Sequence, residues 1–278
     1  MAGRMLTVLK SKRLVAAVLM VLALVVFSGQ EIMYMTGQYI MGDSPWDPTP
    51  RQISGQTVFE EHHSLHPGHY PFSEKLGIAT KIDVIKMISM IAEERKKGFP
   101  EMSTFQTQSP VGTLAPDFEL ETTDGELIRL SDKRGRIAVF MFVAMTCPPA
   151  RTQVDHWTAL HEQFDLEQVD MFFVYSRERH PGERGYPSFK QTTTTQERMV
   201  YARMMSDLTD VPIAVDPIDE RTLKQYGVVP NAAFVVDRNG YIVFKSQWAD
   251  VYKVKQVIKQ MLAAESALQK SASRNEDV

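Results

Sequence analysis

The 278-residue chain holds a single cysteine, Cys147. It can form no intrachain disulfide, so a disulfide-dense framework is excluded, and so is a zinc site built from several cysteines. A copper site of the C-x-x-x-C kind fails as well, because Arg151 stands where the second thiol would be. Surplus charge of either sign is scarce. Thirty-one Lys and Arg face thirty-four Asp and Glu, a net charge of −3 that carries no nucleic-acid signal. A hydrophobic content of 44% and a charged content of 23% are ordinary for a globular chain. The sixteen methionines are many, but their places in the N-terminal segment and on helix faces suit core filling.

The lone thiol follows the most ordered stretch of the sequence. Ile137–Val143, IAVFMFV, is short, apolar, β-branched and aromatic, which predicts a buried strand. AMTCPPAR comes next. Pro148 and Pro149 suit the first turn of a helix, where no backbone N–H is needed. Val154, Trp157, Leu160 and Phe164 then recur at helical spacing. Cys147 is therefore expected at a helix N-terminus, where the dipole, the unpaired N–H groups and a nearby cation such as Arg151 favour thiolate. Thiols so placed titrate at roughly 3.5–7.5. The competing expectation is a buried, inert cysteine.

Taken in order, residues 1–13 carry Arg4, Lys10, Lys12 and Arg13 with no acid, and Leu14–Phe27 is an unbroken apolar run. This is the pattern of a signal peptide or a membrane anchor, read here as an anchor through residues 14–28, with cleavage near Ser28 or Gly29 as the alternative. Positive-inside logic keeps the N-terminus in the cytoplasm and exports the rest; cleavage would make the product secreted. Residues 31–105 read as an extension. Its first part is irregular and rich in Gly, Pro, Ser and His. His62 and His66 would share a helix face and His69 lies close by, but Pro67 and Gly68 break the pattern, so a polar loop is preferred to a metal site. Thr80–Lys97 is expected to be an amphipathic helix, capped by Thr80 and Asp83, with Ile82, Ile85, Ile88 and Ile91 on one stripe. That stripe must cover the main domain, the bilayer or a second copy of the chain as a homodimer.

From residue 106 to 265 the texture is regular. Strands are expected at Asp117–Leu120, Leu127–Leu130, Ile137–Val143, Val169–Tyr175 and Val211–Val215, with a hairpin pairing Ala233–Val236 to Tyr241–Lys245. Helices are expected after Cys147, over Gln196–Leu208 and Asp219–Tyr226, and after an Asp250 cap. Residues 266–278 read as a polar tail, frayed from Ser271. This order predicts an α/β domain: a thioredoxin-like mixed sheet flanked by helices, with the thiol at the C-terminal end of its central strand.

Three stretches carry a resemblance. MTCPPAR is similar to the selenocysteine motif of the iodothyronine deiodinases, with Cys147 at the selenocysteine position. VYSRERHP, Val174–Pro181, resembles their VYIEEAHP, and the segment from Pro212 follows theirs to the hairpin. APDFEL is shared more widely with peroxiredoxins and other redoxins. The resemblance implies Cys147 as nucleophile, with Glu178 and His180 in substrate binding and proton transfer. It also matches Thr146 and Tyr175 as supporting residues, and Pro230 falls in the matching segment just before the hairpin. An imidazole is the usual acid–base side chain near neutral pH. The chain departs from the family at Thr192 and Ala232, where a histidine and an arginine are implied, and at Met145, where a cysteine is implied.

Three functions follow as expectations. The first is a reductive, deiodinase-like thiol enzyme acting on a small molecule. The second is a one-cysteine thiol peroxidase, though Ala144 occupies the threonine position of ordinary peroxiredoxins. The third is a non-catalytic thioredoxin-like binding or assembly module. No cofactor or metal is called for. Lacking a resolving cysteine, either enzyme needs an external thiol or thioredoxin-type reductant.

Overall fold

The structure, a computed structural model, describes residues 49–59, 105, 107–182, 186–229, 231–247 and 249–276. The anchor segment 14–28, His62, His66, His69, the 80–97 helix and Pro230 lie outside the described residues. No helix among the described residues is long and apolar enough to cross a membrane.

Five strands make the central sheet: β5 (Ile137–Val143), β6 (Val169–Tyr175), β7 (Ile213–Val215), β8 (Ala233–Val236) and β9 (Ile242–Ser246). Their order is β7-β6-β5-β8-β9, with β5, β6 and β7 parallel and β8 and β9 antiparallel. Two hairpins precede it: β1 (Pro50–Ile53) with β2 (Gln56–Phe59), and β3 (Glu119–Glu121) with β4 (Leu127–Arg129). The helices are α1 (Pro148–Gln163), α2 (Thr195–Ser206), α3 (Arg221–Gln225) and α4 (Val251–Glu276). This is the thioredoxin-like mixed sheet expected from the order of elements.

Alternation along β5 and β6 divides the core in two. Ile137, Val139, Met141 and Val143, beside Val169, Met171, Phe173 and Tyr175, pack under α1, α2 and α4 through residues such as Trp157, Ala202 and Val254. Ala138, Phe140, Phe142, Phe172 and Val174 face the other way, against Phe105, Phe118, Leu223 and Tyr226. Phe140 stacks between Phe172 and Phe234 across neighbouring strands, at centroid distances of 5.6 and 5.2 Å. Buried on both faces, β5 and β6 show the continuous apolar text of parallel central strands.

Several boundaries differ from the expected ones for local reasons. The β3 strand starts at Glu119 because the Asp117 carboxylate accepts from the N–H groups of Phe118 (3.0 Å) and Ser131 (2.8 Å), which turns the chain before pairing begins. Leu130 closes β4 by starting a 3-10 turn, Leu130–Lys133. The β7 strand begins after Pro212, which has no N–H to contribute to a ladder. Helix α3 is shorter than expected: Asp216 accepts from the N–H groups of Thr222 and Leu223, both at 3.1 Å, and so caps it from the end of β7. The extension, expected to be irregular before residue 80, contains the β1–β2 hairpin, turned at Ser54 and Gly55 with positive φ at both. The polar tail expected from Ser271 continues α4 to Glu276. Asp250 caps that helix as expected, accepting from the Tyr252 and Lys253 N–H groups at 3.0 and 3.3 Å.

Candidate active site

Parallel pairing of β5 with β6 sets Val143 opposite Tyr175, so the loops that leave the two strands run side by side. The first is Ala144–Cys147 and the second Ser176–His180. The Ser176 N–H donates to the Val143 carbonyl (2.9 Å) and carries the pairing one residue beyond the strands. After that, side chains take over from the ladder. The Thr146 N–H donates to Glu178 Oε2 (2.8 Å). Thr146 Oγ1 accepts from the N–H groups of Arg179 (2.9 Å) and His180 (3.1 Å). The Met145 N–H donates to the Tyr175 hydroxyl (2.9 Å), which in turn donates to Glu178 Oε1. Both Glu178 oxygens are thus occupied, and Glu178 is 3% exposed. Burial pushes the Tyr175 phenol well above its usual range, and the neighbouring Glu178 carboxylate adds to this.

The structure therefore brings Thr146, Cys147, Tyr175, Glu178 and the His180 backbone together. It also changes what several of them can do. Glu178, implied in proton transfer, spends its carboxylate on orienting the thiol loop. Arg151, expected as the cation beside the sulfur, turns its Nη1 to the Met145 carbonyl (3.4 Å) and Sδ (3.7 Å). The cation that acts on the thiol is Arg179, which sequence reasoning missed although it stands inside the RERH run.

The largest correction concerns the thiol itself. Cys147 is the N-cap residue of α1, as expected. However, it is 2% exposed, and burial pushes its pKa up from 9.0 to about 11. The Ala150 N–H and Arg179 lower it only in part, and Glu178 raises it further. The two prolines explain the weak helix effect. They favour helix initiation, but they also remove two of the N–H donors that make a helix N-terminus attractive to an anion. The Arg151 N–H is spent on the Cys147 carbonyl (3.0 Å). Ala150 is left as the one first-turn donor facing the sulfur, and Cys147 makes no side-chain capping bond. In this closed state the thiol is protonated at neutral pH.

Behind the second loop lies a cleft of about 540 Å³, whose walls include Arg177, Glu178, Arg179, Thr192 and Arg198. Arg198 is 1% exposed. Its Nη1 donates to the carbonyls of Asp216 (2.8 Å) and Pro217 (2.6 Å), which ties α2 to the end of β7. Sequence reasoning missed it, since a lone arginine in a polar helix reads as a surface residue. Among the described residues no cluster of His, Cys, Asp or Glu could hold a metal ion.

Residues 111–245 match the model of the AhpC/TSA family. The chicken protein named thyroxine 5-deiodinase is 25% identical over 162 residues, 55% of this chain and 62% of its own length. The thiol-disulfide oxidoreductase ResA of Geobacillus thermodenitrificans is 29% identical over 140 residues, 50% of this chain and 70% of its own length. Among solved structures, the exposed lipoprotein thioredoxin Etrx1 of Streptococcus pneumoniae aligns with a TM-score of 0.41 at 23% identity, covering 52% of this chain and 99% of that one. Sheet order and thiol loop give this chain a thioredoxin-like fold, and the part of it from 111 to 245 is similar to the AhpC/TSA family.

Proposed function

We propose that this chain is a thiol oxidoreductase that works through Cys147 alone, with reductive dehalogenation of a small aromatic molecule as its reaction. The observation that carries the reading is the stapled loop. Four buried or part-buried hydrogen bonds through Thr146, Tyr175 and Glu178 hold the two residues before a single thiol against the second loop, an expenditure that a cysteine serving only as core filler does not require. The likeness of this loop pair to deiodinases supports the choice of substrate class.

In the first step the Cys147 thiolate attacks the halogen. An S–halogen bond forms, the carbon–halogen bond breaks, and the ring carbon takes a proton, which His180 supplies. An external thiol then attacks the sulfur, expels halide and leaves a mixed disulfide. A second external thiol restores Cys147 and departs as the disulfide. Two electrons pass from two thiols to the ring. Glu178, Tyr175 and Thr146 are positioning residues. Because the closed thiol is protonated, the cycle begins with an opening that hydrates Cys147. The basic flank and the apolar run at residues 14–28 support tethering of this domain on the exported side of a membrane.

The match of residues 111–245 to the AhpC/TSA family favours a second reading, a one-cysteine peroxidase. There the sulfur attacks a peroxide oxygen, the S–O bond forms as O–O breaks, and the leaving oxygen takes a proton. Two external thiols return the sulfenic acid to thiol and release water.

The test uses the full chain with dithiothreitol as reductant, reading halide release from halogenated phenols and thiol consumption with peroxides. Cys147→Ser is expected to abolish turnover, and His180→Ala to slow dehalogenation by about 10²-fold or more. Turnover unchanged in Cys147→Ser overturns both readings. So does an absence of turnover together with Cys147 alkylation no faster than global unfolding, which leaves a binding module on this fold.

A further inference from the structure

Helix α2 carries two arginines with opposite surroundings. Arg203 is exposed and donates its Nε to the Thr123 carbonyl (3.1 Å), an ordinary surface tie. Arg198 is buried, and burying a guanidinium is costly unless acids and carbonyls answer it. Three carboxylates and a phenol act on it: Asp216, Glu220, Tyr175 and Glu178. Glu220 presents Oε1 to Arg198 Nη2 (3.6 Å) and also to Arg177 Nε (3.5 Å). The Asp216 carboxylate also accepts from the Thr222 and Leu223 N–H groups.

From Arg198 a line of hydrogen bonds runs to the residues before the thiol. Arg198 Nη1 donates to the Asp216 (2.8 Å) and Pro217 (2.6 Å) carbonyls, just past the end of β7. The Asp216 N–H donates to the Tyr175 carbonyl (2.9 Å), at the end of β6. The Tyr175 hydroxyl donates to Glu178 Oε1 and accepts from the Met145 N–H (2.9 Å). Glu178 Oε2 accepts from the N–H of Thr146 (2.8 Å), the neighbour of Cys147 in the chain. A second route ends on the same pair. Arg198 and Glu178 are walls of one cleft, and the Arg198 charge acts on Glu178 and Tyr175 alike.

We propose that Arg198 is a positioning residue for Cys147: it fixes the end of β7 and, through it, the Tyr175–Glu178 pair, and so sets how often the thiol loop opens. Without Arg198 the turn after β7 loses its two side-chain donors, and the buried acids lose a cation they share. The pair then holds Met145 and Thr146 less firmly. The consequence for turnover rests on the function proposed above, in which opening of this loop starts the cycle. Members of one buried network are expected to couple by about tenfold in an equilibrium.

The test is the rate of Cys147 alkylation by iodoacetamide in the full chain, with global stability measured in denaturant alongside. Arg198→Met is expected to speed alkylation about tenfold, and Arg198→Lys, which keeps the charge but not the fork, to give back part of that. Tyr175→Phe breaks the line near its far end and is expected to speed alkylation by a similar factor. In the double variant Arg198→Met with Tyr175→Phe, the rate is expected to stay within about twofold of Tyr175→Phe alone, since one break opens the line. Single effects that multiply in the double variant overturn the inference. Gly227→Ala is the control for stability alone: its Cβ would meet Phe105 Cα at 2.8 Å, away from the line. It is expected to leave the alkylation rate unchanged; an acceleration equal to that of Arg198→Met overturns the inference too. Tyr175→Phe also carries the test by itself if Arg198→Met does not fold. Coupling is reciprocal, so Tyr175→Phe is expected to speed hydrogen exchange of the Asp216 N–H more than that of the Val139 N–H in central β5. Equal acceleration at the two amides overturns the inference. Alkylation needs no turnover. A chain that shows this coupling yet releases no halide and consumes no peroxide removes the proposed function and leaves Arg198 as the positioning residue of the thiol loop.

Discussion

At Cys147 two effects oppose each other, and their sizes decide the protonation state. Desolvation raises the pKa; the Ala150 N–H and Arg179 lower it by less, and the result is about 11. The sign of the linked stability effect follows. Between pH 9 and 11 the unfolded chain has lost this proton and the folded chain keeps it. The stabilisation is fully present below pH 9 and is lost as the pH rises towards 11, a loss of about 2–3 kcal/mol. Denaturant titrations of wild type and Cys147→Ser from pH 8 to 11 are expected to show a decline in their difference over that window; a flat difference contradicts it. Thr146 offers a second residue-scale prediction. Thr146→Val keeps the shape but leaves the Arg179 and His180 N–H groups without their acceptor. It is expected to cost about 2 kcal/mol and to speed alkylation of Cys147, since the stapled loop then opens more often. The place of Cys147 between strand and helix was legible in the sequence. Its pKa was not, because burial depends on residues distant in the chain.

Among the elements, α2 shows how a run that looks featureless does specific local work. The Thr194 hydroxyl accepts from the Glu197 N–H (3.2 Å), and Glu197 reaches back to the Thr193 N–H (2.7 Å) and hydroxyl (2.9 Å). The threonine run is thus a helix start of the capping-box kind. Thr194→Ala is expected to cost about 1 kcal/mol in denaturant unfolding, with Thr193→Ala costing less because its backbone N–H is kept. Strands β5 and β6 were readable to the residue, since each is a continuous apolar segment buried on both faces. The β3, β7 and α3 boundaries were not. They were set by Asp117, Pro212 and Asp216 acting on backbone groups of neighbouring turns.

Across the whole molecule, the chain before the domain is tied to the sheet at Phe105. The buried Lys245 on β9 donates Nζ to the carbonyls of Phe105 (2.6 Å) and Gln108 (3.2 Å) and lies 4.7 Å from the Phe105 ring centroid. Gly227, at φ +86°, lets this segment approach, since a Cβ there would come within 2.8 Å of Phe105 Cα. Gly227→Ala is expected to destabilise by about 2–4 kcal/mol, from both the left-handed backbone and the clash. Gly125→Ala, at φ +90° with open space around it, is expected to lose only the conformational part, about 1 kcal/mol. Equal costs at the two positions in thermal or denaturant unfolding contradict the packing account.

The order of strands and helices from β3 onward, the position of Cys147 at the start of α1, and the two segments that make the thiol loops were all determined by the sequence alone. Each depends on apolar periodicity or on residues close together in the chain, and local patterns record such information. Tertiary structure alone decided that Glu178 serves as a staple and that Arg179, rather than Arg151, is the cation at the sulfur. It alone assembled a cleft from Arg177, Thr192 and Arg198. Those outcomes depend on parallel pairing of β5 with β6 and on α2 packing against the end of β7, which bring together residues that no spacing rule connects. Desolvation, the force that sets the Cys147 proton, is likewise a property of the closed core and has no local signature.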